Sequence, residues 1–473
     1  MSDEVRIDLM DAIREEEVKK FKDDKDDTVE EIIEDILLEE EEDEDEVCYD
    51  YERTTFSIPA GKDGNDRIVI WGYIPQKFND QRKVSTKNKS LSFEPKNNRL
   101  SSGSIIMANG LALPRSAGLP HFASRFARSG FNVFLFDFRH LGDSTGLPRQ
   151  IVSMISQLED YLTVLKFVTE PESHSKLFEN FIDPKKVILW GWSNSGGHVS
   201  KLATNPDLKL CGVDERFERD LHLRISGVIC LDPMCDGIKN LKHHVWNNPL
   251  GLAKIGHYVL GDLIISMIPF LSKRYSINVP ALGPGGFLGS EEAERGAKMI
   301  ASQSSEEAEK EGEEFQNVNT MTADQTKLKK SGEKRSKLVG MQDLGPKFVN
   351  LVAARYGYDV MFQNSNGSSV NCSILVSWSK DKGDGLITDQ VPRSFLNHCQ
   401  KLLSQSSTKH QKTSLNDLES TTSVKEIDLN RIKRTTVEVE SFEHEGDHFG
   451  LHFGGIGFED GIKRQIEFIK KLI

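Results

Sequence analysis

Two hydroxyl groups stand in the stretch Lys186-Val187-Ile188-Leu189-Trp190-Gly191-Trp192-Ser193-Asn194-Ser195-Gly196-Gly197-His198, between an apolar run and a segment that can be helical. The run Val187 to Trp190 is long enough for a buried strand. The glycines that follow supply the backbone freedom of an abrupt strand–turn–helix connection. A serine held in such a turn projects its hydroxyl past the sheet edge, and the next backbone N–H groups can face a developing oxyanion. Ser193 is the preferred nucleophile, because it follows the strand directly and has Gly191 and Gly196 around it. Ser195 would put the bulky His198 where the helix must cross close to the strand. Taken alone, the stretch also fits an ordinary glycine-rich loop or a phosphate-binding turn.

A serine hydroxyl is a weak nucleophile at neutral pH and needs an adjacent base, itself oriented by a third group. Two later segments offer them. The apolar run Ser373 to Trp378 leads into Ser379-Lys380-Asp381-Lys382-Gly383-Asp384-Gly385-Leu386-Ile387, and a predicted strand, Thr435 to Ser441, leads into His444-Glu445-Gly446-Asp447-His448-Phe449-Gly450-Leu451-His452. Asp384 is preferred over Asp381, since Leu386 and Ile387 would anchor its loop under the sheet; Asp381 remains open. His448, just ahead of Phe449 and a closing helix, is the preferred base, and His444 and His452 read as polar loop residues. The regular histidine spacing could suggest metal ligands on a helix, but Gly446, Gly450, Gly454 and Gly455 oppose a helix and no carboxylate or cysteine set completes a site. No metal and no organic cofactor is expected.

These groups need a scaffold, and the chain alternates strand-like and helix-like segments. Residues 52–59 and 67–74 flank Gly61-Lys62-Asp63-Gly64-Asn65 as a hairpin. Buried strands are predicted at Ser104–Ala108, Asn132–Phe136, Val187–Trp190, Ile225–Leu231 and Ser373–Trp378, with helices near His121–Ser129 and along Ile151, Ile155, Leu158, Leu162, Leu165 and Val168. Alternation of this kind specifies an α/β fold with a mostly parallel, helix-covered sheet. The gap of about 140 residues between two of these strands is too long for a loop and must hold an insertion. The expected organisation is an acidic tail over 1–50, core over 51–235, a helical cap with a disordered centre over 236–370, and core again over 371–473. Helices are predicted over 389–403 and along Phe458, Ile462, Ile466 and Ile469, with a polar insertion over 404–432.

Charge narrows the functional classes. Residues 1–50 hold 24 acidic and 6 basic residues, a net of −18 against −13 for the whole chain, so residues 51–473 carry +5. A nearly neutral body lacks the basic field nucleic acid requires. The tail reads as solvated and disordered; Ile32, Ile33, Ile36 and Leu37 make a protein-binding helix face the alternative. Six scattered cysteines form no CxxC pair, the N-terminus shows no secretory pattern, and Val259–Leu271 is too short to span a bilayer. A cytoplasmic protein with no transmembrane segment is expected.

The stretches Asn109-Gly110, Phe136-Asp137-Phe138-Arg139 with Gly142-Asp143-Ser144, Gly191-Trp192-Ser193-Asn194-Ser195-Gly196-Gly197-His198 and Gly446-Asp447-His448-Phe449 together resemble the α/β-hydrolase superfamily. Within it they look like the dienelactone-hydrolase-like and S33-peptidase-like esterases, and Leu282-Gly283-Pro284-Gly285-Gly286 and Asn350–Arg355 resemble the cap of that group. The resemblance covers residues 52–473 with three polar interruptions, and the acid loop departs from the usual pattern by its length. It implies a serine hydrolase with Ser193 as nucleophile, Asp384 as orienting acid and His448 as base, in the order such triads follow. Backbone N–H groups of Asn194 and Leu111 would hold the oxyanion, and a small-molecule ester, thioester or related acyl compound would be the substrate. Acyl transfer by the same residues, or a non-catalytic scaffold on the same fold, are the alternatives.

Overall fold

The computed structural model describes residues 49–76, 102–170, 182–205, 224–247, 249–283, 286–303, 351–359, 363–380, 386–416 and 437–473. The tail residues 1–48, both candidate acids Asp381 and Asp384, and most of the polar insertions lie outside them.

The β-rich hairpin expected from the first alternating segments is β1 (Asp50–Ala60) against β2 (Asp66–Gln76), paired antiparallel around the Gly61–Gly64 turn. Next come β3 (Ser102–Ala108), helix α1 (Leu119–Arg128), β4 (Asn132–Phe136), α2 (Met154–Thr169), β5 (Ile182–Trp192), α3 (Asn194–Thr204) and β6 (Ile225–Leu231). The chain then builds α4 (Gly237–Asn247), α5 (Pro249–Met267), α6 (Pro269–Ser272), a small two-stranded sheet of β7 (Asn278–Pro280) and β8 (Leu351–Ala353), and α7 (Tyr356–Asp359). It returns through β9 (Ser373–Ser379), α8 (Gln390–Asn416), β10 (Val439–His444) and α9 (Phe458–Leu472).

Eight strands form one sheet in the order β1-β2-β4-β3-β5-β6-β9-β10. β2 pairs antiparallel with β4, and every pairing from β4 to β10 is parallel. Strands buried on both faces read as continuous apolar runs, and this one does: all five residues of β4 are buried, as are Val187 to Trp192 in β5. Helices α1 and α9 pack side by side over the sheet and meet the Trp190 side chain. Phe122 and Phe126 of α1 and Phe468 and Ile469 of α9 are fully inside, each such side chain stabilising the fold by about 1.5–3 kcal/mol. The indole of Trp190 donates to Gln465 Oε1 at 2.7 Å, tying the central strand to the last helix.

Several boundaries differ from expectation, among them the start of β5 at Ile182 where Val187 is predicted. The helix predicted over 389–403 continues to Asn416, because Ser404 to Asn416 contains neither Pro nor Gly and nothing stops it. The last strand begins at Val439 and runs through His444, so that histidine belongs to the sheet and not to the loop after it.

Candidate active site

At the carboxyl end of β5 the chain reverses sharply. Ser193 has φ 57° and ψ −116°, a conformation rare for a side-chain-bearing residue, and serves as the N-cap of α3. Its N–H donates to Leu231 O at 2.8 Å, and its carbonyl accepts from Gly197 and Met234 N–H at 3.1 and 2.9 Å. The strained turn is thus fixed from both sides, by α3 and by the loop after β6. It is also sterically closed: a Cβ on Gly191 would lie 2.3 Å from Ser195 O. Ser195 is fully buried, and its hydroxyl donates to the Asn109 carbonyl.

The loop after β3 approaches this turn through Gly110, where a Cβ would meet the Trp192 ring at 2.8 Å and Ser193 Cβ at 3.2 Å. Asn109 organises it, with its amide donating to Pro114 O and Ala117 O at 2.9 and 2.8 Å and its Oδ1 accepting from Gly110 N–H. Further along, Arg115 lies buried against Asp137 and reaches Asp143 at 2.8 Å, with its guanidinium over Trp71. The conspicuous Asp137-Phe138-Arg139 and Gly142-Asp143-Ser144 stretches therefore anchor the loop that carries Leu111, which is itself buried. Arg139 in turn pairs with Asp160 and Glu159 of α2.

Asn194, the residue after the nucleophile candidate, is held from several directions. Its amide donates to Gln157 Oε1 at 3.1 Å, its Oδ1 accepts from the Tyr356 hydroxyl at 3.0 Å, and its backbone carbonyl accepts from Gln363 Nε2 at 3.4 Å. His198 sits one helical turn on, with Nε2 2.6 Å from Gln157 Oε1, and burial drives its pKa down to about 3, so it stays neutral. Val152, Met154, Asn194, His198, Tyr356, Asp359 and Gln363 line a small cleft here. Burial raises the Asp359 carboxyl at its edge to about 6.

His448 is buried, and its ring lies 4.8 Å, centroid to centroid, from the ring of Trp192, the residue before Ser193. Its backbone N–H donates to Glu292 Oε1 at 2.9 Å. Ser193, Asn194, Leu111 and His448 are accordingly gathered at the end of the sheet where β5 meets its neighbours. Neither of the other two histidines is the polar loop residue expected. His452 is buried beside Trp192 at 4.2 Å, and burial together with His448, His121 and His444 lowers its pKa to about 3. His444 is 2% exposed and paired with Asp232, Nε2 to both carboxylate oxygens at 3.0 Å. Sequence reasoning looked for an acid only after β9 and passed over Asp232. The available signal was an Asp immediately after the apolar run Ile225–Leu231, at a carboxyl strand end where open α/β sheets place their sites. No group of three or more His, Cys, Asp or Glu able to hold a metal occurs among the described residues.

The solved structure of DcsB in complex with its substrate analogue superposes with a TM-score of 0.51 over 89% of this chain and 99% of that one, at 14% identity. The chain has the α/β-hydrolase fold. No family model matches it. Among curated sequences, the quorum-quenching protein AidA of Acinetobacter baumannii is 31% identical over 182 residues, 38% of this chain and 50% of AidA. The thiohydrolase aneE of Aspergillus aculeatus is 36% identical over 92 residues, 20% of this chain and 26% of aneE. The chain thus spans half or less of the length of these relatives. No helix among the described residues is long and apolar enough to cross a membrane.

Proposed function

We propose that this α/β-hydrolase is a serine hydrolase that cleaves a carboxylic ester or thioester through an acyl-enzyme. The observation that carries the reading is the left-handed, strained backbone of Ser193 at the end of the central parallel strand, capping α3. Strain of this kind persists only where the surroundings over-determine it, and here it sets one largely buried hydroxyl at a helix N-terminus.

In the proposed reaction Ser193 Oγ attacks the acyl carbon while His448 takes its proton. The tetrahedral oxyanion is held by the N–H groups of Asn194 and Leu111, and His448 returns the proton to the departing alcohol or thiol. Water then attacks the acyl-enzyme with His448 again as base, releasing the acid and free Ser193. Asp384 orients His448 in this scheme. Asp232 is assigned a different role, because its carboxylate is occupied by His444. The helical segment between β6 and β9 is the cap. The similarity to a protein named a thiohydrolase supports including thioesters in the substrate class.

The test is a panel of p-nitrophenyl esters and acyl thioesters of increasing chain length, assayed with wild type and His448→Ala. Hydrolysis by wild type, and its loss by about a thousandfold or more in the variant, is expected. Acyl-enzyme that resolves only on addition of an alcohol, amine or thiol would make the protein an acyltransferase. A folded protein that never acylates would leave a binding scaffold.

A further inference from the structure

Helix α5 is apolar on two opposite sides. One side packs inward through Ile255 and Asp262, and Asp262 is satisfied by Arg355 and by the N–H groups of Ile277 and Arg355. The other side presents Leu260, Ile264 and Met267 to solvent at 61%, 53% and 80% exposure, and the chain continues through Pro269 into Phe270 at 72%. Residues 260, 264 and 267 fall on one face at helical spacing, a stripe roughly 10 Å long, and Phe270 follows it in α6 after the extended Ile268. A surface helix of a water-soluble domain normally turns polar residues outward, and an outward apolar stripe of this size marks an interaction surface.

The surroundings indicate what covers it. Segment 237–280 contains five Lys or Arg and one acid, Asp262, which is buried and paired, within a chain whose net charge is −13. Lys273 and Arg274 are exposed just past the stripe, and Lys242 is exposed on α4. Two amphipathic aromatics before and after it in the chain are exposed, Trp246 at 88% and Tyr275 at 58%. An apolar face bordered by aromatic and basic side chains is the composition of helices that lie in the plane of a membrane interface. An acidic polypeptide would match the charge but would carry carboxylates onto a stripe with no donors. A bilayer keeps the anionic headgroups and the apolar layer apart, as this surface does.

We propose that α5 and α6 dock the protein peripherally on an anionic lipid surface, with Leu260, Ile264, Met267 and Phe270 entering the interface and Lys273 and Arg274 meeting the headgroups. The inference does not depend on the catalytic reading.

The test is co-sedimentation of the full chain with vesicles of phosphatidylcholine alone and of phosphatidylcholine with phosphatidylserine, together with tryptophan emission. Binding to the phosphatidylserine vesicles, weakened by salt, is expected, with a blue shift that disappears in Trp246→Phe. Ile264→Glu with Met267→Glu should reduce binding by more than about tenfold, and Lys273→Gln or Arg274→Gln by about fivefold each. All these side chains are exposed, so the variants should keep the wild-type melting temperature. No binding to either vesicle would overturn the proposal, as would binding that the substitutions leave unchanged. So would a concentration-dependent dimer abolished by Ile264→Glu, which would assign the face to a second copy.

Discussion

Asp232 and His444 join the loop after β6 to the end of β10 as a buried ion pair. Nε2 of the histidine lies 3.0 Å from both carboxylate oxygens, and Nδ1 lies 3.2 Å from the Glu445 carbonyl. Both ring nitrogens face acceptors, an arrangement that favours the protonated ring. Asp232 adopts φ 42°, and the loop it opens also supplies the Met234 N–H that fixes Ser193. One pair therefore ties the turn that strains the serine to the segment that ends in His448, four residues after His444. With both of its nitrogens engaged, His444 fits a positioning role beside the proposed base His448.

Burial alone would lower the His444 pKa, but the charge and hydrogen bond of Asp232 outweigh it and hold the pKa above its ordinary 6.5. A raised folded-state pKa means that the pair's stabilisation is complete below about 6.5 and is lost as pH rises through the folded value. Wild type should therefore lose melting temperature on going to alkaline pH. Asp232→Asn should be less stable by about 3–5 kcal/mol on the acid side, where the cation is left buried without its partner, and should show a smaller fall at alkaline pH. Melting curves across pH check this, and parallel profiles for the two proteins would contradict it.

The Tyr356 hydroxyl reaches across from α7 to Asn194 Oδ1 at 3.0 Å. Its loss should let Asn194, the proposed source of an oxyanion N–H, relax. Tyr356→Phe is expected to cost about 1 kcal/mol of stability and to lower kcat several-fold with KM little changed. Steady-state kinetics beside a melting curve separate the two effects, and an unchanged kcat would remove Tyr356 from the positioning of Asn194.

Cys230, Cys235 and Cys399 are buried, and burial pushes the thiols of Cys235 and Cys399 up to about 12 and that of Cys230 well above its usual range. Thiolate is the reactive form, so all three should resist alkylation by iodoacetamide in the native protein and react once it is unfolded. Peptide mass spectrometry before and after denaturation reads this directly. Rapid native labelling of any of the three would show that the core opens.

Ser195→Ala should cost about 1 kcal/mol, the worth of one buried hydrogen bond to Asn109, without removing reactivity toward acyl substrates. Comparing melting temperature and turnover in that variant checks the assignment of the two serines, and loss of turnover with an unchanged melting temperature would reverse it.

Much of the fold can be read from the sequence because its signals are steric and local. Asn132–Phe136 and Ile225–Leu231 occur as predicted, residue for residue, since both are apolar runs bounded by polar or turn residues and buried on both faces. The turn at Ser193 was legible because only glycine fits at position 191, and the sequence shows it. Less legible were features that depend on distant partners. His444 looks polar in the sequence, and it becomes a core residue only because Asp232, 212 positions earlier, neutralises it. Asp262 looks like an interruption in an apolar run until Arg355, 93 positions later, pairs with it. The extension of α8 to Asn416 was missed for the opposite reason: polar composition suggests a loop, whereas a helix ends only where something ends it.

The central claim is that Ser193 is an activated nucleophile. A fluorophosphonate probe tests it most directly, applied to wild type, Ser193→Ala and Ser195→Ala, each shown to be folded by its melting curve. The account predicts covalent labelling of wild type and Ser195→Ala and none of Ser193→Ala, with the modified peptide containing residue 193. Labelling that survives in Ser193→Ala, or a folded wild type that never reacts, would contradict it.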